Sequence, residues 1–172
     1  MANAPDFLAR VILFQDLDAD ALSNLGPLLT PKRLSAGTIV FREFDASDAL
    51  YIVEQGSVVV SKHVRDDVDI VLTRFRPGDF FGEMGLFDAG PRSATAQVEI
   101  DSKLWQLSRK VFQDIFSLHP EIAAKICYRL VTVFIERLRA TNEQAREAIR
   151  WGLEATGYST TGSQTFFGRK ST

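Results

Sequence analysis

Phe80-Phe-Gly-Glu-Met-Gly-Leu-Phe-Asp-Ala-Gly-Pro-Arg-Ser-Ala-Thr-Ala96, which we call the cassette, is the most informative part of this 172-residue chain. Gly82 permits a tight turn in which the backbone can approach a ligand closely. Glu83-Met-Gly-Leu-Phe87 can form one or two helical turns, whose first N–H groups are donors for an anion. Pro91 fixes a second turn, and Arg92 adds a permanent cation. The cassette therefore has the parts of an anion site.

The charged residues of the cassette indicate the kind of ligand. An Arg that faces helix-start amides suits a phosphate, to which Ser93 can add a hydroxyl and an N–H. Glu83 would repel a phosphate, so it needs a neutral donor such as a sugar hydroxyl. Taken singly, Glu83 could be a helix-start acid favoured by the macrodipole and Arg92 the partner of a surface carboxylate. Together, at this spacing, they favour a ligand with a phosphate and a hydroxyl, which is a nucleotide.

Residues 34–110, which contain the cassette, consist of short β-rich runs separated by turn residues. Examples are Thr38-Ile-Val-Phe41 and Ser57-Val-Val-Val-Ser61, and Arg65-Asp-Asp-Val-Asp69 is predicted to be a hairpin tip. Several short strands with regular turn signals are typical of an antiparallel sandwich or jelly roll.

Helices are predicted on both sides of this β region. Residues 1–33 carry apolar residues at helical spacing, with N-cap candidates in Asp16-Leu-Asp-Ala-Asp20. Residues 111–151 are helical again. Pro120 stands where a first-turn proline would begin a long helix over about 120–151.

The long helix has two apolar faces. One follows steps of four and three, which is typical of a coiled-coil seam and would join two copies as a parallel homodimer. It consists of Cys127, Val131, Phe134, Leu138, Thr141, Ala145 and Ala148, with Thr141 as a polar register marker. The other face, formed by Ile122, Ile126, Leu130 and Val133, would pack on the β region. The alternative is a monomer whose amphipathic helix lies on its own barrel.

Residues 152–172 form a tail rich in Ser, Thr and Gly, which predicts a segment that is flexible when free. Tyr158 and Phe166-Phe167 are unusual for a pure linker. They could dock on a partner or on the barrel, or the tail could be inert.

Composition argues against several classes of protein. Lys and Arg total 20 against 22 Asp and Glu, so no basic excess indicates duplex DNA or a membrane surface as partner. No apolar run approaches the roughly 20 residues that span a bilayer, and the N-terminus lacks a secretion signal. The single Cys127 suits a reducing cytoplasm. With His63 and His119 as the only histidines, neither a metal site nor a catalytic residue is predicted, which argues against an enzyme.

The cassette resembles the phosphate-binding cassette of cyclic nucleotide-binding domains, with a gap-free match from Phe81 to Thr95. Further motifs stand in the order of this family: Leu13-Phe-Gln-Asp-Leu17, Gly37-Thr-Ile-Val-Phe41, Ala49-Leu-Tyr-Ile-Val-Glu-Gln-Gly-Ser-Val58 and Arg76-Pro-Gly-Asp-Phe-Phe-Gly-Glu83. The resemblance covers residues 7–150. It implies an α+β fold: an antiparallel β-roll, or jelly-roll-like barrel, between short N-terminal helices and C-terminal helices that include one long helix.

Two positions depart from the usual family pattern. Gly85 stands where Ala or Ser is common, although members of the catabolite activator class also have Gly there. Phe44 stands where the family usually has Gly, which predicts a more rigid loop. Overall the chain looks like a bacterial-type sensor domain, similar to those of catabolite activators and of protein kinase A regulatory subunits.

The resemblance implies a role for each matching residue. Glu83 would accept a hydrogen bond from the ribose 2′-OH, Arg92 would pair with the cyclic phosphate, and Ser93 would contact the phosphate through its N–H and hydroxyl. The predicted ligand-binding residues are Phe81, Gly82, Glu83, Met84, Gly85, Arg92, Ser93, Ala94, Val60, Leu72, Phe134 and Arg137. Of these, Val60, Leu72 and Phe81 are candidates for apolar walls by strand alternation, together with Val58 and Phe80. Phe134 and Arg137, with Leu138, would contact the base from the long helix.

The residue at position 93 and the length of the C-terminal segment bear on the identity of the ligand and on the output. In the family a Thr at the position of Ser93 favours cGMP, while Ser is found with cAMP in bacterial activators, so cAMP is favoured and cGMP comes next. A cyclic dinucleotide is a further alternative. Only about 20 residues follow Trp151, too few for the helix-turn-helix of the transcription factors, so we expect no DNA binding by this chain.

The expected function is a cyclic nucleotide sensor with no other cofactor, which signals to a protein partner through the long helix or the tail. The chain is either a stand-alone sensor or a fragment of a larger protein, and Met1 favours the former. The competing hypothesis is a structural or dimerising barrel with a vestigial pocket.

Overall fold

The computed structural model describes residues 4–65 and 68–156. Outside them lie Asp66 and Asp67 of the predicted hairpin tip, and the part of the tail that contains Tyr158 and Phe166-Phe167. The chain divides into two compact units, Met1–Val131 and Thr132–Thr172. The described strands and the cassette all belong to the first unit.

Among the described residues, six antiparallel strands form one sheet with β3 and β6 at its centre. They are β1 (Thr30–Leu34), β2 (Ile39–Phe41), β3 (Ala49–Arg65), β4 (Val68–Phe75), β5 (Phe80–Phe81) and β6 (Thr95–Ser108). The order is β1-β6-β3-β4, while β2 also pairs with β6 and β5 with β3. β3 and β6 pair from Ala49 opposite Ser108 to Ser61 opposite Thr95, with register shifts on the way. Such irregularities bend long strands and let one sheet curl into a roll.

The inner face of the roll is apolar and is filled by residues from β3, β5 and β6. These residues are Ala49, Tyr51, Val53, Val58, Phe81, Ala96, Val98 and Leu104. Phe81 is the centre of an aromatic group, with ring centroids 5.5 Å from Tyr51, 5.3 Å from Phe75 and 5.9 Å from Phe41. This packing fixes β5, which leads directly into the cassette's turn.

One of the short N-terminal helices begins as the capping pattern predicts. Asp18 is the N-cap of α2 (Ala19–Leu25), because its carboxylate accepts a 2.8 Å hydrogen bond from the Ala21 N–H. α1 (Ala4–Leu8) precedes it, and one-turn 3-10 helices stand at Ile12–Phe14 and Gly26–Leu28.

In the part of the chain that the structure describes, two helices follow the sheet. α3 (Arg109–Leu118) is capped by Ser108, whose hydroxyl accepts from the Val111 N–H, and it buries Phe112 and Ile115. α4 (Pro120–Ala155) begins at the predicted proline and continues four residues beyond the predicted end. In the first unit it buries Ile126 and Leu130 of the second apolar face; packing of that face on the β region stays a prediction.

The sheet begins at Thr30, four residues before the start that the sequence predicts. Its first strand, β1, contains Pro31. A proline cannot donate to a sheet ladder and is therefore tolerated mainly on an edge strand. β1 is such a strand, since β6 is its neighbour at the end of the strand order. The α+β fold, an antiparallel roll flanked by helices, is confirmed.

None of the described helices is both long enough and apolar enough to cross a membrane.

Candidate functional site

The cassette begins with a left-handed turn at Gly82. Its φ is +75°, and a Cβ at this position would lie 2.7 Å from Arg92 Nη1 and 3.1 Å from the Ala49 carbonyl oxygen. The following residues, Glu83–Leu86, form one turn of 3-10 helix. Gly82 is therefore required both for its backbone conformation and for the close approach of Arg92.

Gly85 is held equally tightly, on the inner side of the 3-10 turn. A Cβ here would lie 2.4 Å from Ser47 Oγ and 3.2 Å from the Ala49 N. The buried Ser47 side chain thus occupies the space that the Ala or Ser of other family members would need. This explains in physical terms why the chain has Gly at this position.

Arg92 is the central cation of the site and is only 4% exposed. Its Nη1 donates to the carbonyls of Ala49 (2.9 Å) and Gly82 (3.0 Å), and its guanidinium lies 4.1 Å from the centre of the Phe41 ring. Nη2 is 3.7 Å from Asp48, a carboxylate that is 74% exposed. Among the described residues, Nε has no hydrogen-bond partner although it is buried. Arg92 thus keeps an unused donor.

Glu83, the acid of the cassette, is 8% exposed and lies in the 3-10 turn. Its charge acts on Arg92. Burial lowers the pKa of Arg92, while Tyr51, Asp48 and Glu83 raise it. The structure therefore brings an acid and a cation together in a largely desolvated place, where electrostatic interactions are stronger than in water.

The loop before β3 grips the cassette from the other side. The Phe44 N–H donates to the Arg92 carbonyl (2.9 Å), and the Arg92 N–H donates to the Asp45 carbonyl (2.8 Å). Phe44 has a φ of 71° and is 78% exposed. A left-handed backbone strains a bulky residue, so the usual glycine of the family suits the conformation that this chain adopts with Phe.

Arg109, at the start of α3, is a residue of this region that the sequence analysis missed. Its side chain donates to the carbonyls of Gly85 (2.7 Å), Asp88 (2.6 Å) and Ser47. The one available signal was a misfit: a cation in the first turn of a helix is disfavoured by the macrodipole.

The other residues predicted from the first unit occupy different environments. Met84 and Ser93 are exposed and Ala94 is buried; the Ser93 carbonyl accepts from Lys62 Nζ at 3.4 Å. Val60 packs against the core, in which Val58, Phe80 and Phe81 are almost fully buried. Leu72 lies on β4, where the side chains from Val68 to Arg74 are exposed. Contact of these residues with a ligand stays a prediction.

Phe134 and Arg137 belong to the part of α4 in the second unit, where both are half-buried, and Leu138 is exposed. Their predicted contact with the base likewise stays a prediction. Within the described ranges, no three His, Cys, Asp or Glu side chains form a group that could hold a metal ion.

Comparison with known proteins supports the resemblance that the cassette indicates. The family model of the cyclic nucleotide-binding domain matches residues 31–119. The chain is 31% identical over 144 residues to the CRP-like cAMP-activated global transcriptional regulator of Mycobacterium tuberculosis, which covers 84% of this chain and 62% of the relative. The chain thus spans about three fifths of the length of that curated relative.

Solved structures show the same likeness. One is the N-terminal domain of a transcriptional regulator from Streptomyces coelicolor, with a TM-score of 0.68 and 32% identity over 80% of this chain and 96% of the other. Another is the c-di-GMP responsive global regulator CLP of Xanthomonas campestris, with a TM-score of 0.66 and 32% identity over 75% and 63%. From its matched domain and the arrangement of its cassette, this chain belongs to the cyclic nucleotide-binding domain family.

Proposed function

We propose that this chain is a sensor that binds a 3′,5′-cyclic purine nucleotide in the cassette, with cAMP preferred over cGMP. The observation that carries the proposal is the state of Arg92. A buried charge is costly unless it is fully paired. Arg92 Nη1 donates to two carbonyls, Nη2 lies 3.7 Å from the exposed Asp48 carboxylate, and the buried Nε has no hydrogen-bond partner in the described part of the chain. An anionic ligand would supply the missing acceptor.

Each polar group of the site has a part in this proposal. Arg92 pairs with the cyclic phosphate, and Glu83 accepts from the ribose 2′-OH. Gly82 and Gly85 keep the backbone close, and the exposed Ser93 offers a hydroxyl and an N–H. A hydrogen bond to a charged group contributes about 1.5–3 kcal/mol, whereas micromolar affinity needs about 8 kcal/mol. Apolar contacts with the base must therefore supply much of the affinity.

The preference for cAMP rests on Ser93 and on the similarity to a regulator named as cAMP-activated. The similarity to a regulator named as responsive to c-di-GMP makes that dinucleotide the main competitor. The proposed ligand is therefore tested against both cGMP and c-di-GMP.

The proposed output runs through α4. Tyr128, Val131, Ile135 and Leu138 are exposed apolar residues at steps of three and four along this helix. Of the predicted seam, Val131, Leu138, Thr141, Ala145 and Ala148 are exposed and Cys127 and Phe134 half-buried. We propose that this exposed apolar surface of α4 binds a second copy or another protein. Bound nucleotide would change how accessible the surface is to that partner. Such a switch requires the nucleotide to bind one arrangement more tightly than the other.

Calorimetric titration tests the proposed ligand. Protein stripped of nucleotide by unfolding and refolding is titrated with cAMP, cGMP and c-di-GMP, and the titration is repeated with Arg92→Ala. We expect micromolar binding of cAMP, weaker binding of the other two, and at least about tenfold weaker binding by Arg92→Ala. Arg33→Ala, which removes an exposed Arg from β1, is the matched control and should bind like the wild type.

Failure of all three nucleotides to bind, with no rise in melting temperature as their concentration increases, would contradict the proposal. The vestigial-pocket hypothesis would then explain the family fold. Tight binding of c-di-GMP alone would keep a sensor but change its ligand.

A further inference from the structure

We propose that Arg109 is the positioning residue of the cassette, and that through it the binding of a nucleotide is transmitted to α3. This inference rests on the proposed function. Arg109 is the first residue of α3, yet its side chain donates away from the helix to three carbonyls: Gly85, Asp88 and Ser47. Its backbone N–H donates to a fourth, that of Asp48, at 2.7 Å.

These four carbonyls belong to the two segments that surround Arg92. Gly85 lies in the 3-10 turn that begins with Glu83, and Asp88 follows that turn. Ser47 and Asp48 directly precede Ala49, whose carbonyl accepts from Arg92. Arg109 thus fixes the distance between the turn that carries Glu83 and the loop that holds Arg92 in place. A shift of either segment must change a hydrogen bond at the first residue of α3.

The type of side chain supports this role. A guanidinium presents donors in a rigid fork, so one group can bind carbonyls from two segments at the same time. Lysine keeps the charge but has a single nitrogen on a flexible stem, so it cannot hold both segments in the same geometry. The position is also unfavourable for a cation, because it faces the positive end of the helix macrodipole. The contacts with the cassette and the loop offset this cost.

The charge of Arg109 is a separate contribution. Burial is the main cause that lowers the pKa of Arg92, and the nearby charge of Arg109 lowers it further. Two cations near one anion site strengthen the attraction for a phosphate. Comparing a variant that keeps the charge with one that removes it therefore separates positioning from simple attraction.

The experiment uses the full chain with Arg109→Lys, Arg109→Met and the control Lys110→Met. Lys110 is the next residue, is 83% exposed and pairs with Asp114 one turn away. For each protein the Kd for cAMP is measured by calorimetry, and hydrogen exchange of residues 109–118 is measured with and without saturating cAMP. The exchange measurement on the wild type needs no variant, so it remains informative where a substitution prevents folding.

We expect cAMP to increase the protection of 109–118 in the wild type and in Lys110→Met. Arg109→Lys should weaken binding about tenfold, the equivalent of one lost hydrogen bond to a charged group. At saturating cAMP it should also lose the added protection of α3 while remaining folded. Arg109→Met should weaken binding further, because it removes the charge as well. A purely structural role would lower the melting temperature without removing the response of α3 to saturating ligand.

Two results would overturn the inference while leaving the proposed function intact. One is wild-type binding of cAMP with no change in the protection of 109–118. The other is an Arg109→Lys variant that binds like the wild type and passes the same protection to α3. Absence of cAMP binding to the wild type would instead contradict the proposed function itself.

Discussion

Glu54 on β3 and Arg92 in the cassette are both charged side chains withdrawn from solvent, with 8% and 4% exposure. Glu54 is a closed group, by which we mean that both of its carboxylate oxygens have partners within the protein. One accepts a hydrogen bond from Lys103 Nζ at 2.9 Å and the other from the indole N–H of Trp105. Arg92 is open. Its Nη1 donates to two backbone carbonyls, its Nη2 lies 3.7 Å from the exposed Asp48 carboxylate, and its Nε has no hydrogen-bond partner among the described residues.

The difference separates a charge that serves the fold from one that serves a ligand. A buried ion pair whose hydrogen bonds are all made can contribute little net stability to the fold. Removal of one partner is nevertheless costly, because it leaves an uncompensated buried charge. A buried cation with an unused donor has capacity for another molecule. The two groups should therefore respond in opposite ways to removal of the charge and to the addition of nucleotide.

The largest effect is expected from Glu54→Gln. It removes the charge that Lys103 faces while keeping the shape of the side chain, so the free energy of unfolding should fall by about 3 kcal/mol. The Kd for cAMP should stay within a factor of two or so of the wild-type value, because Glu54 makes its contacts with β6 and not with the cassette.

Urea denaturation and calorimetry measure the two quantities. Glu99→Gln is the control, since Glu99 is an acid of the same sheet with an Arg partner but with greater exposure; its loss of stability should be smaller. A strong loss of cAMP affinity in Glu54→Gln would show that the closed pair also serves the site, and the comparison would fail.

Arg92→Met should behave in the opposite way. An apolar side chain of similar length can pack on Phe41, so stability without ligand should change by no more than about 1 kcal/mol. The wild type at a cAMP concentration of 100 times its Kd should gain about 2.7 kcal/mol, and the variant should lose nearly all of this gain. Thermal melts with and without cAMP measure both effects. A variant that loses several kcal/mol without ligand would mean that Arg92 holds the fold as Glu54 does.

The sequence was sufficient to predict the site around Arg92, but it did not predict the ion pair of Glu54. Glu83 and Arg92 stand in one short segment with glycines and a proline, so local spacing was sufficient to indicate a site. Glu54 is about 50 positions away from Lys103 and Trp105, and it meets them only because β3 pairs with β6 in one particular register. That register depends on bulges, which no local pattern in these strands reveals.

The fold shows the same limit. The turns between β-rich runs predicted an antiparallel sandwich or jelly roll, and Pro120 marked the start of α4. The first strand was predicted four residues too late and Arg109 was missed, because both depend on neighbours far along the chain. Pro31 is tolerated because β1 is an edge strand, and Arg109 matters because the cassette folds onto the start of α3. Local chemistry was predictable, whereas long-range partners were not.

Substitution of Phe44 tests whether the backbone is strained in the loop that forms hydrogen bonds with the Arg92 backbone. Because Phe44 is exposed and has a φ of 71°, Phe44→Gly should relieve a left-handed conformation and lose little packing. The expected gain in stability is about 1 kcal/mol, allowing for the greater freedom of glycine in the unfolded chain. Urea denaturation measures it, and Phe44→Ala, which keeps a Cβ, should gain less. A loss of stability in Phe44→Gly would show that the ring makes a contact worth more than the strain.

The smallest effect is expected at an ion pair that is closed like that of Glu54 but lies at the surface. Asp16 binds Arg129 of α4 through both carboxylate oxygens. The hydrogen bonds from Arg129 hold the pKa of Asp16 below its ordinary value of 3.8. A carboxylate whose pKa is lower in the folded state stabilises the fold above its unfolded pKa, and this stabilisation is lost as the pH falls through the folded pKa.

Asp16→Asn should therefore lower the melting temperature slightly at pH 7, and the difference from the wild type should shrink as the pH falls below about 4. Added salt should reduce it as well, because the pair is accessible to solvent. Asp114→Asn, which breaks a local pair with Lys110, serves as the control. If Asp16→Asn instead cost as much as Glu54→Gln at neutral pH and high salt, then burial would not be what distinguishes the strong pair from the weak one. The contribution of the Glu54 cluster to stability would then have to come from its hydrogen-bond geometry alone. By the same reasoning, the burial of Arg92 would no longer be evidence that this residue serves a ligand.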